Sequence, residues 1–311
     1  MVTRFSRAFS PSGISSFFEI WDCEENGTPI KDPERIGARG GGFALSKGTT
    51  TEVIARKSKK HRVEIYINGK LAPQAKTTKA MVNMLLKRVE GAYQVIVRHF
   101  IEVPIGAGFG TSAAGALSTG LALSHELGLN LTYNQIGRMA HVADVICHTG
   151  LGTVEGLLVG GLVLVVRSGA AGIGLVDRIP IQSTLKVAAG SFGPMNKRYV
   201  LFSPEERALV NKLGYRTMEE ILSNPNLTTF IKSCKRFAYD LGLMSERVRR
   251  LIEDAENSGA IGATQNMIGE AVHAVTRQEN LKAVYEAFKR HLPKEKIIIS
   301  EIDLQGARLL T

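Results

Sequence analysis

Residues 104–117, PIGAGFGTSAAGAL, set three glycines at alternate positions (Gly106, Gly108, Gly110) before a hydroxyl pair, Thr111-Ser112, and a helical run of small residues. Glycines let the backbone turn tightly and bring its N–H groups close to a ligand. A helix start behind them adds unpaired N–H donors and the positive end of a dipole, which suits a phosphate. The two hydroxyls are placed to cap the helix and to reach a phosphate oxygen or a metal. No Lys follows the last glycine, which excludes the G-x-x-x-x-G-K-[ST] phosphate loop. The alternating glycines also miss the G-x-G-x-x-G register of dinucleotide folds. What remains is a nucleotide-phosphate cradle, or a loop-to-helix turn whose small residues serve tight packing.

The loop resembles the second motif of the GHMP kinases, P-x-x-x-G-L-G-S-S-A-A. Here the motif is carried by Pro104, Gly108, Phe109, Gly110, Thr111, Ser112, Ala113 and Ala114, with Phe for Leu and Thr for Ser. The resemblance implies ATP bound by Pro104, Gly106, Gly108, Gly110, Thr111, Ser112 and Ala113, with Mg²⁺ alongside. In the mevalonate-kinase branch a metal-binding Glu is followed eleven residues later by an Asp that faces the acceptor hydroxyl. In this chain Asp144 and Glu155 hold those places within DVICHTGLGTVE, each acid exchanged for the other, and His148 lies seven residues before Glu155. By resemblance, Asp144 and Ser112 bind the metal, and Glu155 meets the acceptor hydroxyl as base or hydrogen-bond acceptor. His148 is read as orienting the loop. Taken singly, Asp144 is also an ordinary helix-end acid and Glu155 a solvated loop acid.

The family's first motif is echoed at Pro11–Glu19 (PSGISSFFE), but Gly13 stands where a Lys is often found, so no catalytic lysine carries over. Arg7 is either a substitute charge or an exposed strand residue. The third motif corresponds to residues 257–272, whose Gly259 and Gly262 either close over the phosphates and substrate or form a simple turn between helices. From about residue 4 to 275 the chain looks most like the archaeal pantoate kinases, through SPSGISSFFE, GARGGGFAL, VPIGAGFGTSAAGALSTGLAL and GLGTVEGLLVGG. This implies ATP-dependent phosphorylation of the primary hydroxyl of pantoate, towards coenzyme A, and a homodimer. Pantoate needs a cation for its carboxylate, and Arg39 is the candidate clamp, since guanidinium binds carboxylate bidentately. A surface-turn role for Arg39 stays open. Ser15, Ser16 and Gly262 are further substrate-site candidates. The alternatives are a mevalonate, homoserine or shikimate type of GHMP kinase, or a non-catalytic regulator on the same fold.

The formal charge of +10 favours anionic ligands in general. Its densest run, RKSKKHR (56–62), lies between two strand-like segments and reads as a solvated hairpin tip. No nucleic-acid-binding signature accompanies it. Three scattered cysteines fit no metal spacing and point to a reduced cytoplasm, and no signal peptide opens the chain. Residues 103–124 are uncharged, but five glycines and five Ser/Thr argue against a membrane span.

The elements that must position these groups give an α+β, GHMP-kinase-like two-lobe fold. Residues 1–185 form a strand-rich N-terminal lobe with the ATP loop and its helix, and 186–311 a mostly helical C-terminal lobe. Helices are expected over 76–90, from the glycine loop to about 127, and from a Thr132 cap through Cys147. Further helices are expected over 210–225, 227–243, 244–257 and from Met267 onward, before a last strand at KIIISEID. The 32 glycines cluster at 37–48, 106–120, 150–174 and 258–269, which reads as ligand-facing loops.

Overall fold

The computed structural model describes residues 5–24, 26–193 and 203–310. Two antiparallel strands, β1 (Ser6–Trp21) and β2 (Gly37–Ser58), form the spine of the first sheet. Around them lie β3 (Arg62–Ile67), β4 (Lys70–Leu71), α1 (Lys76–Leu86), β5 (Ala92–Ile101), α2 (Thr111–Glu126), α3 (Tyr133–Ile146), α4 (Thr153–Val159), β6 (Leu162–Arg167) and β7 (Leu175–Ile179). The long β2 pairs with β5 through Thr49–Ser58 and with β6 through Gly40–Phe43, so one strand serves two neighbours along a single edge. The glycines at 40–42 are therefore strand residues. A Cβ on Gly42 would sit 1.7 Å from the Ile14 carbonyl oxygen across a bulge in β1.

The basic run 56–62 is not a hairpin tip. β5 lies between β2 and β3, antiparallel to the first and parallel to the second, so the run is a solvated crossover.

Helix α2 is buried from Ala113 to Ser124, wedged between the sheet and α1 and α3. Only small side chains let three elements approach one helix that closely, which explains the Ala/Gly/Ser composition. Helix α3 starts at a full capping box, the Thr132 hydroxyl accepting from Gln135 N–H and the Gln135 side chain accepting in return from Thr132 N–H.

Beyond residue 185 the chain forms β8 (Lys186–Gly193), α5 (Pro204–Ser223), α6 (Leu227–Asp240), α7 (Glu246–Asn257), β9 (Gly262–Gln265), β10 (Glu270–Thr276), α8 (Leu281–Lys289), β11 (Ile297–Glu301) and β12 (Arg308–Leu310). The segment from Met267 is not a helix. It enters β10, in the middle of a second antiparallel sheet of order β11-β8-β10-β9. β10 is buried on both faces, which erases the alternation that marks a half-buried strand. The last strand, β12, returns to pair with β1 in the first sheet. Phe17 and Phe43 pack edge-to-face on Phe230 and Phe237 of α6 at 5.5–6.3 Å and tie both parts together, each such pair contributing about 0.5–1.5 kcal/mol beyond area burial.

Candidate active site

A cavity of about 250 Å³ opens between β1, β2, the glycine loop and the loop that precedes α4. Gly13, Ser15, Gly108 and Gly110 line one end, Thr149–Thr153 one wall, and Met267-Ile268 the lid side. Apolar surface comes from Ile14, Phe17, Phe43, Leu151, Val163 and Val165; Arg39 is the charged residue of the lining.

The glycine loop is built as its sequence demands. Gly106, Gly108 and Gly110 have φ of 79°, 83° and 60°, all in the left-handed region. Phe109 between them is buried and anchors the loop, and its carbonyl accepts from Gly13 N–H at 3.1 Å. Gly110 is itself the N-cap of α2, and no side chain caps the helix. The hydroxyls of Thr111 and Ser112 are thus not caps, contrary to expectation. They stand inside the first turn, whose N–H groups are left for a ligand. Ala113 is fully buried and offers only its backbone there.

Asp144, in the last turn of α3, is 2% exposed. Its Oδ1 accepts from Thr149 Oγ1 at 2.5 Å, and its carboxylate also meets the Ser112 hydroxyl. Burial raises its pKa, against the lowering effect of those two hydroxyls. The expected neighbours Asp144 and Ser112 are therefore together. One buried carboxylate beside a hydroxyl at a phosphate-type helix start fits Mg²⁺, which takes one or two protein oxygens and leaves the rest to phosphates and water.

Glu155 departs from the expectation. It lies on α4, 2% exposed, and does not line the cavity. Its Oε1 is 2.8 Å from His141 Nδ1, and His141 Nε2 lies 2.8 Å from the Ile36 carbonyl oxygen. Burial opposes the charge on His141, but the Glu155 carboxylate and the Ile36 carbonyl outweigh it and hold the imidazole above its ordinary pKa. Glu155 is thereby paired with His141 and does not line the cavity where an acceptor hydroxyl would lie. Among the described residues, no Asp or Glu lines the cavity.

Arg39 is 13% exposed, its Nε donating to the Val166 carbonyl at 2.8 Å and its Nη1 lying 3.3 Å from Glu19. Tyr215 of α5 stacks over the guanidinium at 5.8 Å. The surface-turn alternative for Arg39 is set aside by its strand position and its place in the cavity wall. Ser15 lines the cavity; Ser16 does not, because it is fully buried with its hydroxyl 3.1 Å from His273 Nε2. Gly262 is also removed from the site, as a buried strand residue against Ile231. The β9–β10 turn reaches the cavity instead through Met267 and Ile268, and Met267 N–H donates to the Ser15 carbonyl at 2.7 Å. Arg7 is half exposed beside Glu52, away from the cavity. His148 has a φ of 55° and is exposed at the bend that follows α3.

Thr149, Gly150 and Thr153 were not singled out from the sequence, though they fall inside the segment that carries both acids. Their signal was a small-residue run between two acids, which composition alone does not separate from a turn.

The GHMP kinases N terminal domain matches residues 76–156, the stretch from α1 to α4 that holds the glycine loop and Asp144. A pantoate kinase of Thermococcus kodakarensis is 29% identical over 278 residues, 88% of each chain. One of Methanocaldococcus jannaschii is 26% identical over 281 residues, 90% of this chain and 96% of its own. A solved structure described as a phosphotransferase related to the CoA biosynthesis pathway superposes with a TM-score of 0.87 over 98% of both chains, at 26% identity. The chain thus carries a GHMP kinase N-terminal domain over residues 76–156, is similar to pantoate kinases over most of its length, and is an ATP-dependent phosphotransferase.

Proposed function

We propose that the protein transfers the terminal phosphoryl group of ATP to the primary hydroxyl of pantoate, giving 4-phosphopantoate and ADP. The observation that carries this reading is the cavity itself: a small apolar chamber with the glycine loop at one end and one guanidinium in its wall. Pantoate has a carboxylate, a gem-dimethyl carbon and a primary hydroxyl. Arg39 takes the carboxylate, the Ile14, Phe43 and Val165 surface covers the methyl groups, and the hydroxyl points to the glycine loop. The pantoate kinases that align with most of the chain support the same acceptor.

The N–H groups at the start of α2 hold the phosphates, and Asp144 and Ser112 hold Mg²⁺, which supplies charge neutralisation on the phosphates. Phosphoryl transfer passes through a loose transition state, so alignment and charge stabilisation carry most of the catalysis. A carboxylate base in contact with the acceptor is not required: as the acceptor O–P bond forms, the bond from the terminal phosphorus to ADP breaks, and the hydroxyl proton passes to a phosphate oxygen or to water. Residence in a reducing cytoplasm and assembly as a homodimer are part of this proposal. Among the described residues, no helix is long and apolar enough to cross a membrane, and all three cysteines are free.

Replacing Arg39 tests the acceptor pose. Arg39→Ala is expected to raise the KM for pantoate about 10–100-fold, the equivalent of one or two charge-assisted hydrogen bonds, with the KM for ATP unchanged. An unchanged pantoate KM would remove Arg39 from the site.

A further inference from the structure

We propose that Thr149 and Thr77 are positioning residues that fix the Asp144 carboxylate for metal binding, an inference that rests on the metal role given to Asp144 above. A hydroxyl has one proton to donate. Thr149 Oγ1 stands 2.5 Å from Asp144 Oδ1 and 3.2 Å from the Asp144 carbonyl oxygen, so its one proton is given to Asp144, at the nearer carboxylate oxygen. Thr149 Oγ1 is also 2.9 Å from Thr77 Oγ1, and that bond must be donated by Thr77. The chain of bonds therefore has one direction, Thr77 to Thr149 to Asp144. Thr77 belongs to the first turn of α1 and is buried. Ser112, which also bonds the carboxylate, belongs to the first turn of α2.

The second carboxylate oxygen is backed just as closely. A Cβ built on Gly150 would lie 2.1 Å from Asp144 Oδ2, so the loop closes on the acid only because residue 150 has no side chain. Asp144 is thus held by α1, α2 and the 148–152 loop together, in one rotamer and one plane. A ligand carboxylate fixed in this way does not reorganise on metal binding. Groups that hold a metal's ligands in orientation typically contribute 10–100-fold to metal affinity. None of this is visible from the acid spacing, because Thr77 is distant in sequence from Asp144.

The test is Mn²⁺ binding followed by electron paramagnetic resonance, with ADP present, on the full-length protein and without turnover. Thr149→Val is expected to weaken Mn²⁺ binding about 10–100-fold. Thr149→Ser, which keeps the hydroxyl, restores affinity to within a few-fold of wild type. Thr77→Val gives a smaller loss in the same direction and serves as the second variant should Thr149→Val not fold. Asp144→Asn runs in parallel to separate the two levels of the argument. If Asp144→Asn loses Mn²⁺ while folded Thr149→Val binds it as wild type does, the positioning role is overturned. If Asp144→Asn itself binds normally, the metal role beneath it falls.

Discussion

A carboxylate withdrawn from water to 2% exposure, as Asp144 is, stands where charge is disfavoured unless something cationic joins it. Its pKa is raised by burial, so the folded apo protein holds that proton more tightly than the unfolded chain does. The sign follows: this group favours folding least above its folded pKa. Asp144→Asn is accordingly expected to raise the thermal midpoint of the metal-free protein while lowering kcat by about two orders of magnitude or more, as loss of transition-state charge stabilisation does. Calorimetry and a coupled ADP assay on the same preparation check both; a variant with near-normal turnover removes Asp144 from the chemistry. Gly110 makes the complementary case through backbone geometry. It has a φ of 60°, and a Cβ there would lie 2.7 Å from the Thr153 methyl. Gly110→Ala should destabilise by about 1–2 kcal/mol from the left-handed conformation alone, and should raise the KM for ATP by displacing the first turn of α2. Denaturant melts and ATP kinetics measure the two effects.

Helices α3 and α4 are joined by the buried His141–Glu155 pair, which is what fixes the wall between Thr149 and Thr153. Without the carboxylate, burial leaves nothing to hold the His141 proton, and Glu155→Gln is expected to lose stability most at pH below the folded His141 value. The pH dependence has a definite direction. His141 has a raised pKa in the folded state, so its contribution is complete below the unfolded histidine value and is lost as pH rises through the folded one. Thermal midpoints across that alkaline rise should fall for wild type and stay flat for Glu155→Gln. If the substitution instead abolishes turnover without affecting stability, Glu155 acts on substrate. This element also marks a limit of the sequence reading. The acid at residue 155 and its spacing from Asp144 were legible, but the partner that neutralises it lies on another turn of α3, and helical periodicity reports His141 only as one more inward position.

Across the whole molecule, what was legible followed from local rules. The start of α2 behind the glycine loop and the Thr132 cap of α3 each rest on residues a few positions apart. The second sheet was missed in part because β10 has no exposed face, and the site's far wall was missed because Met267 and Ile268 arrive from residues more than 150 positions beyond the glycine loop. Arg39 was legible as a cation in a glycine run, but its restraint by Glu19, Val166 and Tyr215 depends on three distant elements. The central claim concerns the acceptor that this assembled chamber admits, and an ADP-release assay with ATP and Mg²⁺ against pantoate, mevalonate, homoserine, shikimate and galactose tests it most directly. The account predicts turnover with pantoate, one phosphoryl group appearing on its primary hydroxyl per ADP formed, and little with the others. Turnover of mevalonate but not pantoate would contradict it.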